Sequence, residues 1–108
     1  MRRACNLDRN HADVVNALEA IGAKVQSLAP MGGGVPDLLV GYHEVNVLLE
    51  VKDGNAPPSA RMMTKAEKEW HTTWPGQCYV AYSPQEAQEV VIEVALRWKG
   101  KRVGYEPA

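Results

Sequence analysis

Three ionisable residues, Asp37, Glu50 and Lys52, have the types and spacing that metal-assisted hydrolysis requires. Glu50 and Lys52 flank Val51 at the end of an apolar segment. Because side chains alternate between the faces of a strand, both charged groups should project to the same side. Asp37 follows a glycine run and Pro36 at the start of a second apolar segment. On an adjacent strand, Asp37 would complete a two-carboxylate cradle for a divalent cation with a lysine beside it.

Hydrolysis of a phosphodiester bond is the reaction that such a cradle suits. It needs an activated water, charge neutralisation at phosphorus and help for the leaving oxygen, and one or two Mg²⁺ ions can supply all three. Mg²⁺ prefers oxygen ligands and keeps several waters. We therefore predict that Asp37 and Glu50 bind the metal, with the Val51 carbonyl as a third ligand. Lys52 would orient or help deprotonate the attacking water, or stabilise charge on the phosphate.

A purely structural interpretation competes with this one. Glu50 and Lys52 could form a solvent-facing pair on an edge strand, and Asp37 could be a turn residue after a proline; a bare Glu-X-Lys favours that interpretation. The context argues against it, because strand 45–51 is strongly apolar and ionisable groups in a buried strand are costly unless paired or metal-bound. The glycines before Asp37 also permit close backbone approach.

The order of elements that must position these residues is helix, three strands, helix, strand and helix. The first helix would begin at an Asn10 cap and end at Gly22. Segments with strand patterns cover residues 23–28, 37–42, 45–52 and 77–82. Residues 53–63, rich in glycine and proline, indicate a loop beside the site. The order predicts an α/β fold with a mixed central sheet flanked by helices, in a single domain of residues 1–108.

The later helices have clear start signals. Thr64 followed by Glu67 is a capping box. Ser83, Pro84 and Glu86 supply a cap, a proline at the first helical position and a capping-box acid. Both helices should therefore begin at these residues, and the last one should pack an apolar stripe on the sheet.

Composition limits the classes of protein to which this chain could belong. The chain has 108 residues, 45% of them hydrophobic, and a formal charge of −1. This charge counts mildly against bulk electrostatic binding of nucleic acid, although bound metal ions restore positive potential locally. No apolar stretch approaches the roughly 18 residues that a membrane span needs. Cys5 and Cys78 are too few for a disulfide framework, so we expect a cytoplasmic protein.

Two segments carry the motif residues: Gly33-Gly34-Val35-Pro36-Asp37-Leu38-Leu39-Val40-Gly41 and Val47-Leu48-Leu49-Glu50-Val51-Lys52. Together they resemble the PD-(D/E)XK nuclease superfamily and, within it, the virus-type replication-repair nuclease (VRR-NUC) family. The resemblance extends from about Asn10 to His71 and is to the stand-alone phage and bacterial type. It implies a restriction-endonuclease-like αβββαβ core and a Mg²⁺- or Mn²⁺-dependent DNA endonuclease of replication, repair or recombination. It also implies a bacterial or phage-infected cell.

The resemblance implies two further site residues. The family has an acidic residue on its first helix, and Asp13 matches that position, although a first-turn acid is also favoured by the helix dipole. The family often carries a glutamine in a pattern similar to Thr64-X-X-Gln-X-X-Trp, where this chain has Glu67. Glu67 could act in catalysis, or it could be no more than the capping partner of Thr64. Both alternatives stay open for each residue.

The resemblance further implies a homodimer that acts on four-way (Holliday) junctions, because two symmetric sites suit a substrate with two equivalent strands. Other functions compete. One is a catalytically inactive nucleic-acid-binding or protein-interaction module on the same fold. Another is a flap or general nuclease that needs a partner. A sequence-specific restriction-type enzyme would need base-reading elements for which this short chain has little room.

Overall fold

The computed structural model describes residues 9–101, so Cys5 lies outside the described residues. Its helices and strands are α1 (Arg9–Ala20), β1 (Lys24–Ser27), β2 (Leu38–Tyr42), β3 (Val45–Val51), α2 (Pro58–Arg61), α3 (Lys65–Thr73), β4 (Cys78–Ala81) and α4 (Pro84–Lys101). A 3₁₀ turn, Ala29–Met31, precedes the glycine run. No helix within residues 9–101 has both the length and the apolar character needed to cross a bilayer.

The four strands form one mixed sheet in the order β1-β2-β3-β4. β1, β2 and β3 pair antiparallel, and β4 pairs parallel to β3. The predicted α/β fold with a mixed sheet is therefore confirmed. β2 and β3 are joined by His43 and Glu44, with φ angles of 43° and 74°, which is the left-handed geometry of a tight hairpin turn. α2 and α3 lie in the crossover that a parallel neighbour requires.

The core lies between one face of the sheet and the two long helices. Its buried side chains come from alternate sheet positions and from the inner stripes of α1 and α4, and they include Val14, Leu18, Leu38, Val40, Val47, Leu49, Ala87, Val91 and Val94. Because neighbouring residues in a strand face opposite ways, burial of Leu49 under the helices turns Glu50 to the other face. That second face is the one that α3 approaches, through the contact of Glu67 with Lys52.

The helix start signals after the hairpin are confirmed. Thr64 Oγ1 accepts the Glu67 N–H, and Glu67 in turn accepts the Thr64 N–H, so the capping box is complete. Ser83 Oγ accepts the Glu86 N–H at 3.0 Å. The Glu86 carboxylate accepts the N–H of Tyr82, one residue earlier than a capping box requires. Both helices thus begin where the sequence predicts.

Two expectations about local structure are wrong. Asn10 is not the cap of α1, because the helix already includes Arg9; its amide instead makes a long-range hydrogen bond to the Lys52 carbonyl. Segment 53–63 is not wholly a loop, because Pro58–Arg61 form one helical turn. Pro58 lies at the first turn, where its missing N–H costs no hydrogen bond.

Candidate metal centre

The β2–β3 hairpin brings Asp37 and Glu50 together. Its register pairs Leu38 with Leu49, and continuing that register by one residue places Asp37 opposite Glu50. Asp37 Oδ2 accepts the Val51 N–H at 2.8 Å, which fixes this carboxylate against the neighbouring strand. The two carboxylates therefore lie together as predicted, with the Val51 backbone beside both, although Asp37 lies one residue before β2 and not within it.

Glu50 is buried with an incomplete set of partners. It is only 2% exposed, and its Oε1 has no hydrogen-bond partner among the described residues. Oε2 lies 3.6 Å from Lys52 Nζ. Burial, and then the negative charges of Asp37 and Glu67, raise the pKa of Glu50 from 4.5 to about 9. The metal-free protein thus holds Glu50 largely protonated at neutral pH, in a place where a bound cation would favour the carboxylate.

Lys52 is held as an ammonium group by the carboxylates around it. Its Nζ donates a hydrogen bond of 2.8 Å to Glu67 Oε1. Burial acts to lower the pKa of Lys52, but the hydrogen bond to Glu67 and the charges of Glu67, Glu50 and Asp37 outweigh it and raise that pKa. A lysine in this setting is a fixed positive charge, since losing its proton would leave the carboxylates without a counterion.

Glu67 is the capping partner of Thr64, and it also contacts the lysine of the site. Its Oε1 accepts the Thr64 N–H as well as the Lys52 ammonium, each at 2.8 Å. Burial opposes ionisation, but the hydrogen bonds from Lys52 and from the Thr64 backbone lower the pKa of Glu67. The residue is therefore an ionised carboxylate that joins the start of α3 to the lysine of the site.

The first helix reaches the site through Asn10 rather than Asp13. Asn10 Nδ2 donates to the Lys52 carbonyl at 2.8 Å. Asp13 is exposed, and within residues 9–101 no hydrogen bond or ion pair joins it to Asp37, Glu50 or Lys52. Sequence reasoning missed Asn10 because an asparagine before a helical stripe is also a typical cap.

A cysteine and a histidine beside the site were also missed. Cys78 Sγ lies 3.1 Å from His71 Nδ1. Burial and the charge of Glu50 raise the pKa of Cys78 to about 11, and burial is the main cause of a lowered pKa for His71. Both groups are therefore neutral near pH 7, unlike an activated thiolate pair. The spacing of Glu67 and His71, four apart on α3, was the available signal.

The donor set fits a hard divalent cation. Within the part of the chain that the structure describes, no three histidine, cysteine, aspartate or glutamate side chains form a ready ligand group. Mg²⁺ does not need one, because two carboxylates, a backbone carbonyl and waters satisfy it. Asp37 and Glu50 would hold the metal, with the Val51 carbonyl beside them. The buried Glu50 Oε1 that lacks a partner is an oxygen such an ion would satisfy.

Comparison of the chain with protein-family models, with curated proteins and with solved structures finds no match. The resemblance to the VRR-NUC family therefore rests on the motif residues and their spacing.

Proposed function

We propose that this protein is a Mg²⁺- or Mn²⁺-dependent DNA endonuclease of the restriction-endonuclease-like αβββαβ type, selective for branched DNA such as a four-way junction. The observation that carries the proposal is Glu50, buried at 2% exposure with an oxygen that lacks a partner among the described residues. Burying a carboxyl group beside the negative charges of Asp37 and Glu67 is destabilising in the metal-free protein. A metal site accounts for keeping this one.

The residues of the site have separate tasks in this mechanism. A bound Mg²⁺ or Mn²⁺ would activate the attacking water and neutralise charge on the phosphate. Asp37, fixed by the Val51 N–H, and Glu50 would hold that ion. Lys52 acts as a positive charge for the phosphate and its water, because its raised pKa opposes a role as proton acceptor. Glu67 holds the ammonium in place.

A homodimer remains part of the proposal. On the sheet face that carries Glu50, the rings of Trp70 and Trp74 stack at 4.5 Å, and Trp74 is 44% exposed. They border an apolar groove of about 570 Å³ that also includes Leu48 and the exposed Met31. We assign a second copy to this groove, because a two-fold contact buries the same apolar surface twice.

Cleavage of end-labelled DNA tests the function. Four-way junction, flap, single-stranded and linear duplex DNA would be incubated with Mg²⁺, with Mn²⁺ or with EDTA. We expect metal-dependent cutting, strongest on the junction, that is lost in Lys52→Ala. Lys99→Ala is the matched control, because Lys99 is exposed on α4, across the sheet from the site. Absence of cutting by a folded protein that binds Mn²⁺ would favour the inactive binding module.

A further inference from the structure

A second cavity lies next to the candidate metal centre. It has a volume of about 440 Å³, and it is lined by Gly54, Pro58, Arg61, Met62 and Tyr82. This size is within the range of small-molecule sites in proteins. Nothing in the mechanism above uses these side chains.

Three residues that line the cavity are connected to Lys52 through the backbone or through hydrogen bonds. Gly54 follows Lys52 by two residues, so their Cα atoms are at most about 7.6 Å apart. Tyr82 follows Ala81, whose carbonyl accepts the Lys52 N–H at 3.0 Å. Met62 lies two residues before Thr64. The Thr64 N–H and the Lys52 ammonium both donate to the same Glu67 oxygen. The cavity therefore adjoins the place where the proposed reaction positions a phosphate.

The lining combines the groups that recognise a nucleotide. Tyr82 is 39% exposed and Met62 is 61% exposed, so the cavity offers an aromatic ring and an apolar side chain to solvent. Arg61 Nε donates to the Ala56 carbonyl at 2.7 Å, which fixes the plane of the guanidinium while its terminal amino groups can donate elsewhere. Aromatic rings stack on bases, and an arginine guanidinium group can donate paired hydrogen bonds to phosphate oxygens.

The cavity wall is held in place by the backbone. The Gly54 N–H donates to the Tyr82 carbonyl at 2.9 Å. A Cβ at position 54 would lie 2.9 Å from that same oxygen, closer than ordinary contacts, so only glycine packs here without a shift. The Ala56 N–H bonds the Asp53 carbonyl at 3.1 Å, and the Asn55 N–H bonds the Asp53 side chain. These two hydrogen bonds brace the loop whose Ala56 carbonyl accepts the hydrogen bond from Arg61.

We propose that this cavity binds one unpaired nucleotide beside the cleaved phosphodiester, with its base on Tyr82 and a phosphate on Arg61. This inference rests on the proposed function and deepens it by naming the substrate class. A base in a continuous duplex is stacked between its neighbours and cannot enter, whereas a nucleotide in a flap or single strand, or one that unpairs at the crossover of a four-way junction, can. The cavity would thus select DNA that has an unpaired nucleotide next to the cut.

Binding without metal tests the pocket separately from cleavage. Fluorescence anisotropy in EDTA would compare labelled single-stranded oligothymidylate with a linear duplex. We expect Tyr82→Leu, which keeps apolar bulk but loses the ring, to weaken single-strand binding by roughly 5- to 160-fold, the range of one lost base stack. Tyr82→Phe should restore it, and Arg61→Gln should weaken it too. Arg97→Gln is the control, because Arg97 is exposed and paired with Glu93 on α4.

The outcomes separate the two proposals. The pocket proposal would be overturned if Tyr82→Leu bound single strands as tightly as wild type, or if it lost affinity for duplex DNA to the same extent. Failure of Tyr82→Phe to restore single-strand binding would also overturn it. If the pocket variants behave as expected but no DNA is cut with Mg²⁺ or Mn²⁺, the binding inference stands and the endonuclease fails. If DNA is cut and Tyr82→Leu leaves both binding and KM unchanged, the endonuclease stands and the pocket fails.

Discussion

The Lys52 ammonium donates a 2.8 Å hydrogen bond to Glu67 Oε1, the same oxygen that accepts the backbone N–H of Thr64. One atom thereby closes the cap of α3 and positions the lysine of the candidate site. The family resemblance places a glutamine at position 67, whose amide would be neutral. Here the residue is a carboxylate, which raises the pKa of Lys52 and gives the lysine an ionic partner.

Removing the lysine should abolish cleavage. We expect Lys52→Ala to lower kcat on the preferred DNA on the order of a hundredfold or more, because a fixed charge at the reacting phosphate is lost. DNA affinity in EDTA should change much less. Single-turnover rates of Lys52→Ala and of the Lys99→Ala control check this. Full activity in Lys52→Ala would remove the lysine from the mechanism.

Two variants separate the capping role of Glu67 from its role at Lys52. Thr64→Ala removes the cap hydroxyl and should cost about 1 kcal/mol of stability, while the Lys52–Glu67 pair and cleavage remain. Glu67→Ala should cost similar stability and also lower kcat, because the lysine loses its partner. Urea unfolding and single-turnover cleavage of both variants test this. Equal cleavage rates in the two would leave Glu67 with a capping role alone.

The stability of the metal-free protein should fall as pH rises, because of Glu50. Its pKa is raised on folding from 4.5 to about 9, so the folded state retains a proton that the unfolded chain releases. This contribution is fully present below pH 4.5 and is lost progressively as pH rises towards about 9. Glu67, whose pKa is lowered, contributes in the opposite sense, with stability that is lost under acid conditions.

Glu50→Gln isolates this effect. With a neutral amide at position 50, the free energy of unfolding should decline less steeply above pH 4.5. The metal-free variant should therefore be more stable than wild type at pH 8, as measured by urea midpoints. Mn²⁺ should stabilise wild type at that pH and have little effect on the variant. A wild-type profile in Glu50→Gln would show that another group controls the pH dependence.

Asp37 is the second metal ligand in the proposal, so Asp37→Asn should weaken Mn²⁺ binding as well as cleavage. The amide keeps an oxygen that can accept the Val51 N–H, and the fold should therefore persist. Isothermal calorimetry with Mn²⁺ measures the change. The exposed Asp13 is the matched acidic position: Asp13→Asn tests the first-helix ligand that the resemblance implies, and unchanged Mn²⁺ affinity would exclude it.

The proposed dimer can be tested at the tryptophan pair. We expect light scattering at micromolar concentration to give twice the mass of one chain. Trp74→Ser should shift the protein towards the monomer, because Trp74 is exposed beside the apolar groove. Leu96→Ser is the control, since Leu96 is also exposed but lies on α4. A monomeric wild type would count against junction resolution.

The hairpin and its carboxylates were predictable because each signal is local. Strand alternation sets Glu50 and Lys52 on one face, and the Thr64 and Ser83 caps mark helix starts by short-range hydrogen bonds. The contacts that were missed join different secondary-structure elements. Asn10 to Lys52 and His71 to Cys78 depend on how α1 and α3 lie against the sheet, which no local pattern specifies. Exposure of Asp13 has the same origin, since helix rotation about its axis is set by packing.

The register of the β2–β3 hairpin has a consequence for how the site assembles. Asp37 and Glu50 meet through a connection of one short turn, so their encounter is a local event in folding and needs neither β4 nor α3. Lys52 acquires Glu67 only when the crossover has docked. A single-residue slip would turn Glu50 towards the core layer and bring Val51 in its place. At the proposed metal site, a divalent cation would bind only the correctly aligned hairpin, and it would thereby stabilise that alignment during folding.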